Sequence, residues 1–300
     1  MQASTCGEVV FPPRLRPGDR VAIVAPSGAL PRGRFLSGVA WLRERYRVEL
    51  SAEVFARKGY FAGDDAERLA SLSARMRDPG IRAIIAGRGG YGATRIVSSL
   101  PWGEWAKAPS WLVGFSDVTA LHLEAHARGV ASLHAPNVTG LGGARACDRL
   151  RLMRALEGRL LAPWESLTSV RTGDATGRLV GGNLALIYAQ AASGKLTNCN
   201  GAILVLEDVT EKPYQVDRML HALLEAGMFA CSAGIVFGEF AHCEAGPDGV
   251  TVSEVIGDFA TRVSCPVYSG APFGHGERNE PLILGSVANI VNGTMYFPRA

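Results

Sequence analysis

Val113-Gly-Phe-Ser-Asp-Val-Thr-Ala-Leu-His122 follows the apolar pair Trp111-Leu112 and leads into an apolar helical pattern. A strand ending in glycine, a serine two places on and a helix directly behind it form the layout of a nucleophile elbow, which projects the serine hydroxyl from the end of a sheet. Gly114 keeps such a turn free of side-chain clashes, and the helix N-terminus aims backbone N–H groups at negative charge. Serine is also a favoured helix cap, and Val118 stands where the generic Gly-x-Ser-x-Gly pattern has its second glycine. The decapeptide alone leaves both uses of Ser116 open.

Upstream, Asp19-Arg20-Val-Ala-Ile-Val-Ala-Pro26 is a near-continuous apolar run, as expected of a strand buried on both faces. A helix is predicted over 32–45, a strand over 48–55, a helix from Gly63 to the Asp78-Pro79-Gly80 stop, and a strand over 81–86. That strand runs into Gly87-Arg88-Gly89-Gly90-Tyr91-Gly92, which formally satisfies Gly-x-Gly-x-x-Gly. Nucleotide or phosphate binding is one use of such a loop, and presenting N–H groups to an oxyanion is another. The motif is not on the first strand, and no acidic residue ends the next strand at the usual distance.

Alternating strands and helices up to about Pro136 predict a doubly wound parallel α/β sheet, with Ser116 at the carboxyl end of a strand, where such folds place ligands. A linker is expected around 150–172. Beyond it, Gly177 to Asn183 opens a second region, Ala202 to Leu206 is a strand running into Glu207-Asp208, 214–229 an amphipathic helix and 233–237 a strand. Short β-like runs cover 282–290 and 294–297. The expected division is 1–165 for the N-terminal domain and 166–300 for a smaller, β-rich C-terminal α/β domain. His275 lies between Gly274 and Gly276, as suits a histidine that reaches a reactive group from a loop.

The 300 residues are 47% hydrophobic and 20% charged, with a formal net charge of +3 and scattered basic residues, so nucleic acid is not an implied partner. No run of about 18 apolar residues implies a membrane span, and no signal-type core follows Met1, so a cytoplasmic protein is expected. Six dispersed cysteines, among them Cys6, form neither a zinc pattern nor a compact disulfide framework. His122 and His126 share a helix face, but no third metal ligand is evident, so neither metal nor cofactor is expected. They are read instead as a polar helix face, with His134 at a strand end near the site.

Ser116, Glu207 and His275 occur in one of the chain orders known for acyl-transfer triads. The stretches around them resemble the LD-carboxypeptidase family of serine peptidases, which includes the microcin C self-immunity proteins. The resemblance rests on Gly18 to Ser27, Arg88 to Gly92, Gly114 to Thr119, Gly181-Gly-Asn-Leu184, Leu206 to Val209, Pro213-Tyr214 with Asp217 to Leu220, and Gly274-His-Gly276. It implies Ser116 as nucleophile, His275 as general base and then acid, and Glu207 as the group that orients the imidazole. Backbone N–H groups of Asp117 and of Gly90 or Gly89 would hold the oxyanion.

The implied reaction is hydrolysis of the amide between an L-centre and a terminal D-amino acid, releasing D-alanine from a murein tetrapeptide, by a cytoplasmic homodimer. Arg88 is the cation nearest in sequence context for the free carboxylate, or a brace for the glycine loop; Asn183 is expected to touch substrate or to hold its turn. Two rival functions are retained. One is a peptidyl-nucleotide amide hydrolase of the microcin C type, and the other a phosphate- or nucleotide-binding module without hydrolysis.

Overall fold

Residues 8–298 are described by the structure, a computed structural model. Two sheets organise it. The first holds β1 (Arg20–Val24), β2 (Arg47–Glu49), β3 (Ile81–Ala86), β4 (Trp111–Gly114) and β5 (Ser132–His134). The second holds β6 (Thr168–Arg171), β7 (Ala175–Asn183), β8 (Ala202–Val209), β9 (Gly234–Ala241), β10 (Val267–Ser269), β12 (Val287–Val291) and β13 (Thr294–Tyr296).

One strand departs from this division. β11 (Leu282–Leu284) leaves the C-terminal half and pairs antiparallel with β5, so the first sheet runs β11-β5-β4-β3-β1-β2. Its β2-β1-β3-β4-β5 part is wholly parallel, in the order of a doubly wound fold. The second sheet, β13-β12-β7-β8-β9-β10-β6, is parallel from β7 to β10 and antiparallel at its edges. The mixed α/β class with two sheets is thus the one expected.

The parallel strands are apolar on both faces because helices cover both; Val21 to Val24 and Ile203 to Leu206 are each at most 2% exposed. A single buried cluster runs from Val21, Phe35 and Leu133 through Leu152 and Trp164 to Leu179, Val205 and Phe273, so the sheets share a core. A second cluster packs the amphipathic helix Pro213–Glu225 and the helix Val252–Arg262 against β8 and β9.

Two sequence expectations change. The strand predicted over 48–55 pairs with β1 only at Arg47 to Glu49 and then becomes a short 3-10 helix, Ala52–Phe55. It is an edge strand, and the polar Ser51-Ala52-Glu53 step offers no second apolar face to bury. The expected linker, read as a helix and then an irregular stretch, does open in the helix Ala146–Leu156, but its end is taken up by β6. Cys147, Cys199, Cys231, Cys243 and Cys265 are free thiols, and Cys6 lies outside the described residues.

Candidate active site

After β4 the chain turns sharply. Phe115 is extended, and Ser116 takes φ 65°, the left-handed region. For a residue with a Cβ that conformation costs about 1–2 kcal/mol, and such strain concentrates where a side chain has to be aimed. The N-cap positions of the 3-10 turn Ser116–Val118 and of the helix Thr119–Ala127 behind it fall on Phe115 and Val118, not on Ser116. The capping role left open by the sequence is not the one it plays.

Several polar groups fix the turn. Phe115 N–H donates to Asn137 Oδ1 at 3.2 Å, and the Gly114 carbonyl accepts from Ala135 N–H at 3.1 Å and from His122 Nε2 at 2.8 Å. A carbonyl only accepts, so His122 carries its proton on Nε2 and its Nδ1 takes the Ser132 hydroxyl at 2.9 Å. Burial pushes the His122 pKa down to about 4, which keeps the ring neutral. His122 was expected on a polar helix face; it is 1% exposed and braces the elbow instead. His126 is turned elsewhere, its Nε2 on the Asn198 carbonyl at 3.0 Å.

The glycine loop after β3 packs onto the serine. A Cβ built on Gly89 would lie 2.8 Å from Ser116 Oγ, so only glycine lets the loop come this close. Gly28 N–H donates to the Gly89 carbonyl at 3.0 Å, and Arg88 Nη1 to the Ala29 carbonyl at 2.8 Å, which ties the loops after β1 and β3 together. Arg88 is exposed, so its remaining N–H groups face solvent.

Asp117, fully buried, takes the Ala93 N–H on Oδ2 at 2.8 Å and anchors the far end of the loop; desolvation raises its pKa. The helix that follows, Ala93–Ile96, is one turn long, and the N–H at its start is taken by this carboxylate. That N–H is therefore not offered to an anion, and a one-turn helix adds little dipole for a phosphate.

His275 reaches the same place from the other sheet. Its Nδ1 lies 2.6 Å from Glu207 Oε2, its ring is 4.6 Å from that of Phe115, and the Glu207 side chain is completely buried. Glu207 sits inside β8, two residues before its end, and not at a strand terminus as expected. Burial alone would lower the His275 pKa, but the hydrogen bond and charge of Glu207, with Asp208 behind it, outweigh burial and raise it above the usual histidine value. Among the described residues no hydrogen bond joins Ser116 Oγ to His275.

The glycines flanking His275 serve close packing more than reach. A Cβ on Gly274 would press against Glu207, and one on Gly276 would land on the Glu239 carboxylate. Glu239 escaped the sequence reading, as did Asn137, because both act by touching backbone from distant elements.

Asn183, expected as a substrate contact or a turn brace, is fully engaged as a brace. Its Oδ1 caps the helix Leu184–Ala192 at Leu186 N–H, its Nδ2 donates to Asp208 Oδ1 at 2.8 Å, and its backbone N–H donates to Thr119 Oγ1 at 3.0 Å. With a bond at each side-chain end and 3% exposure, it holds its turn, the second of the two roles expected. Asp208 is buried with it, and burial first, then the neighbouring Glu207, pushes its pKa up to about 6.

A strained serine, a glycine loop against it and an imidazole–carboxylate pair at the carboxyl ends of parallel strands define a two-sheet α/β hydrolase site. Comparison with known proteins makes this specific. Residues 21–135 match the LD-carboxypeptidase N-terminal domain and residues 176–290 the LD-carboxypeptidase C-terminal domain. A carboxypeptidase-named protein of Synechocystis sp. is 38% identical over 94% of this chain and 95% of its own length. The murein tetrapeptide carboxypeptidase of Pseudomonas aeruginosa is 32% identical over 90% and 92%.

Among solved structures, muramoyltetrapeptide carboxypeptidase from Oxalobacter formigenes superposes with a TM-score of 0.83 at 28% identity, covering 92% of this chain and 97% of that one. The microcin C7 self-immunity protein, at 19% identity, has a TM-score of 0.85 over 96% and 98% and shares the fold. The chain belongs to the LD-carboxypeptidase family, and it is a peptidase.

Proposed function

We propose that the protein releases a terminal D-amino acid, D-alanine, from murein tetrapeptides, with Ser116, His275 and Glu207 as its catalytic triad. The observation that carries this reading is the 2.6 Å His275–Glu207 pair standing against the elbow that holds Ser116. Nδ1–H donated to Glu207 leaves the Nε2 lone pair free to take a proton. His275 removes the Ser116 proton as Oγ attacks the carbonyl carbon of the scissile amide. It returns that proton to the leaving amine, and the D-amino acid departs.

Water, deprotonated by the same nitrogen, then opens the acyl-serine and restores the enzyme. The oxyanion is held by Asp117 N–H, at the start of the turn where N–H groups lack helical partners, and by Gly90 or Gly89 N–H. The free N–H groups of Arg88 are the cationic candidate for the substrate carboxylate. No helix among the described residues is long and apolar enough to cross a membrane, which is compatible with a cytoplasmic enzyme. The reading includes a homodimer, to be checked by light scattering.

Mass spectrometry of the protein with a muropeptide tetrapeptide ending in D-Ala, its L-Ala epimer and a peptidyl-adenylate tests the proposal. Loss of one alanine from the D substrate alone is expected. Cleavage of the adenylate alone would move the chain to the peptidyl-nucleotide branch.

A further inference from the structure

His134 occupies the seam between the two halves of the site. Its backbone is in register with Gly114 of β4 on one side and with Leu282 of β11 on the other. It therefore stands between the strand that carries the elbow and the strand that follows the His275 loop. The ring is fully buried, 5.5 Å from Phe273 and 5.9 Å from Phe115, both nearly edge-on, and 6.4 Å from His122.

Neither ring nitrogen of His134 has a hydrogen-bond partner among the described residues, and the enclosed Nδ2 of Asn279 has none either. Asn279 is the polar side chain that faces the ring, and its Oδ1 accepts the Gly274 N–H at 3.3 Å, one residue before His275. An unpaired buried polar group is destabilising, and a phenyl ring would fill the same apolar pocket without that cost. What an imidazole adds here is a lone pair, and the neighbouring Asn279 carries an amide N–H that lacks a partner.

We propose that His134 is a positioning residue for His275: it accepts a hydrogen bond from Asn279 Nδ2, and Asn279 in turn holds the Gly274 N–H, fixing the loop that presents the catalytic imidazole. The ring does this as a neutral acceptor. Burial, reinforced by the nearby His122 and His275, holds its pKa well below the usual histidine value. The inference rests on His275 being the general base.

The test is steady-state D-Ala release by the full chain, with thermal unfolding measured beside it. His134→Phe is expected to lower kcat by roughly 10- to 100-fold while KM stays within about twofold, since a small displacement of the base costs that much. His134→Asn or His134→Gln, which restores an acceptor, should regain most of the loss. Asn279→Ala should match His134→Phe, and the double variant should be no slower than the slower single one, because both cut one link.

Wild-type kcat in either single variant, additive losses in the double variant, or His134→Asn and His134→Gln both as slow as His134→Phe would overturn the inference. Asn279 lies on a half-buried loop, so Asn279→Ala decides the matter even where the His134 variants fail to fold. Turnover that survives Ser116→Ala or His275→Ala overturns the triad reading and this inference with it. Turnover abolished there but unchanged in Asn279→Ala overturns this inference alone.

Discussion

Thr119, on the first turn behind the elbow, accepts the backbone N–H of Asn183 from the other sheet at 3.0 Å. The contact is tight: a Cβ on Gly182 would lie 2.6 Å from the same Thr119 oxygen. From Asn183 the link continues through Nδ2 to Asp208, the neighbour of Glu207. The turn behind the serine of one sheet and the residue next to the carboxylate of the other are thus joined by one buried hydrogen-bonded chain.

Thr119→Val keeps the shape of the side chain and leaves the Asn183 N–H buried without a partner. We expect a loss of about 1–3 kcal/mol in stability, seen as a lowered Tm, and a kcat reduced further because the two halves lose their alignment. An unchanged Tm together with an unchanged kcat would show that the shared core alone aligns the sheets.

Gly89→Ala puts a methyl group 2.8 Å from Ser116 Oγ. The clash falls on the reacting atom and not on the core, so kcat should fall by at least about 100-fold while Tm moves little. Near-normal turnover would mean that the loop does not approach the serine during catalysis.

Ser116→Ala and Ser116→Gly should both abolish turnover, by roughly four to six orders of magnitude on the precedent of other serine triads. Their stabilities should differ. At φ 65° alanine keeps the Cβ strain that glycine lacks, so Ser116→Gly should be the more stable by about 1 kcal/mol. Equal melting temperatures would argue that the turn relaxes in solution.

On the proposed mechanism turnover needs neutral His275, whose pKa is raised above the ordinary histidine value, net of an opposing burial effect, by Glu207 and Asp208. The acidic limb of kcat/KM should therefore have its midpoint above about 6.5, and Glu207→Gln should move it down while lowering the plateau. A folded-state pKa raised in this way contributes stability that is fully present below the unfolded pKa and is lost as pH rises through the folded one. The stability gap between wild type and Glu207→Gln should accordingly narrow as pH rises through the His275 pKa. An acidic limb unmoved by Glu207→Gln would separate the two groups functionally.

The residues proposed for chemistry were legible because each sits in a local pattern: Ser116 at a strand-to-helix turn, Glu207 in an apolar strand, His275 between glycines. The helix Val252–Arg262 was missed although it carries a readable start, the Thr251 and Glu254 capping box followed by Val255, Ile256 and Phe259. Asn137 and Asn279 had no local signal, because what they hold lies on other strands and loops; His134 was legible as a strand end near the site, but its partners were not. Asn183 was read as a substrate contact or a turn brace, since polar side chains near glycines look alike in sequence; the Thr119 and Asp208 partners favour the brace. The placement of β11 was illegible too, since three apolar residues state that they are buried but not against which sheet.

β11 also orders events in time. A ribosome that has just completed β5 has already made Ser116, the glycine loop and the parallel strands that carry them. It has made neither the strand that covers the outer edge of β5 nor the histidine that would activate the serine, for both come from the same late stretch of chain. On the proposed triad, the nascent protein holds its nucleophile before its base exists, and the stretch that seals its first sheet is also the one that would switch it on.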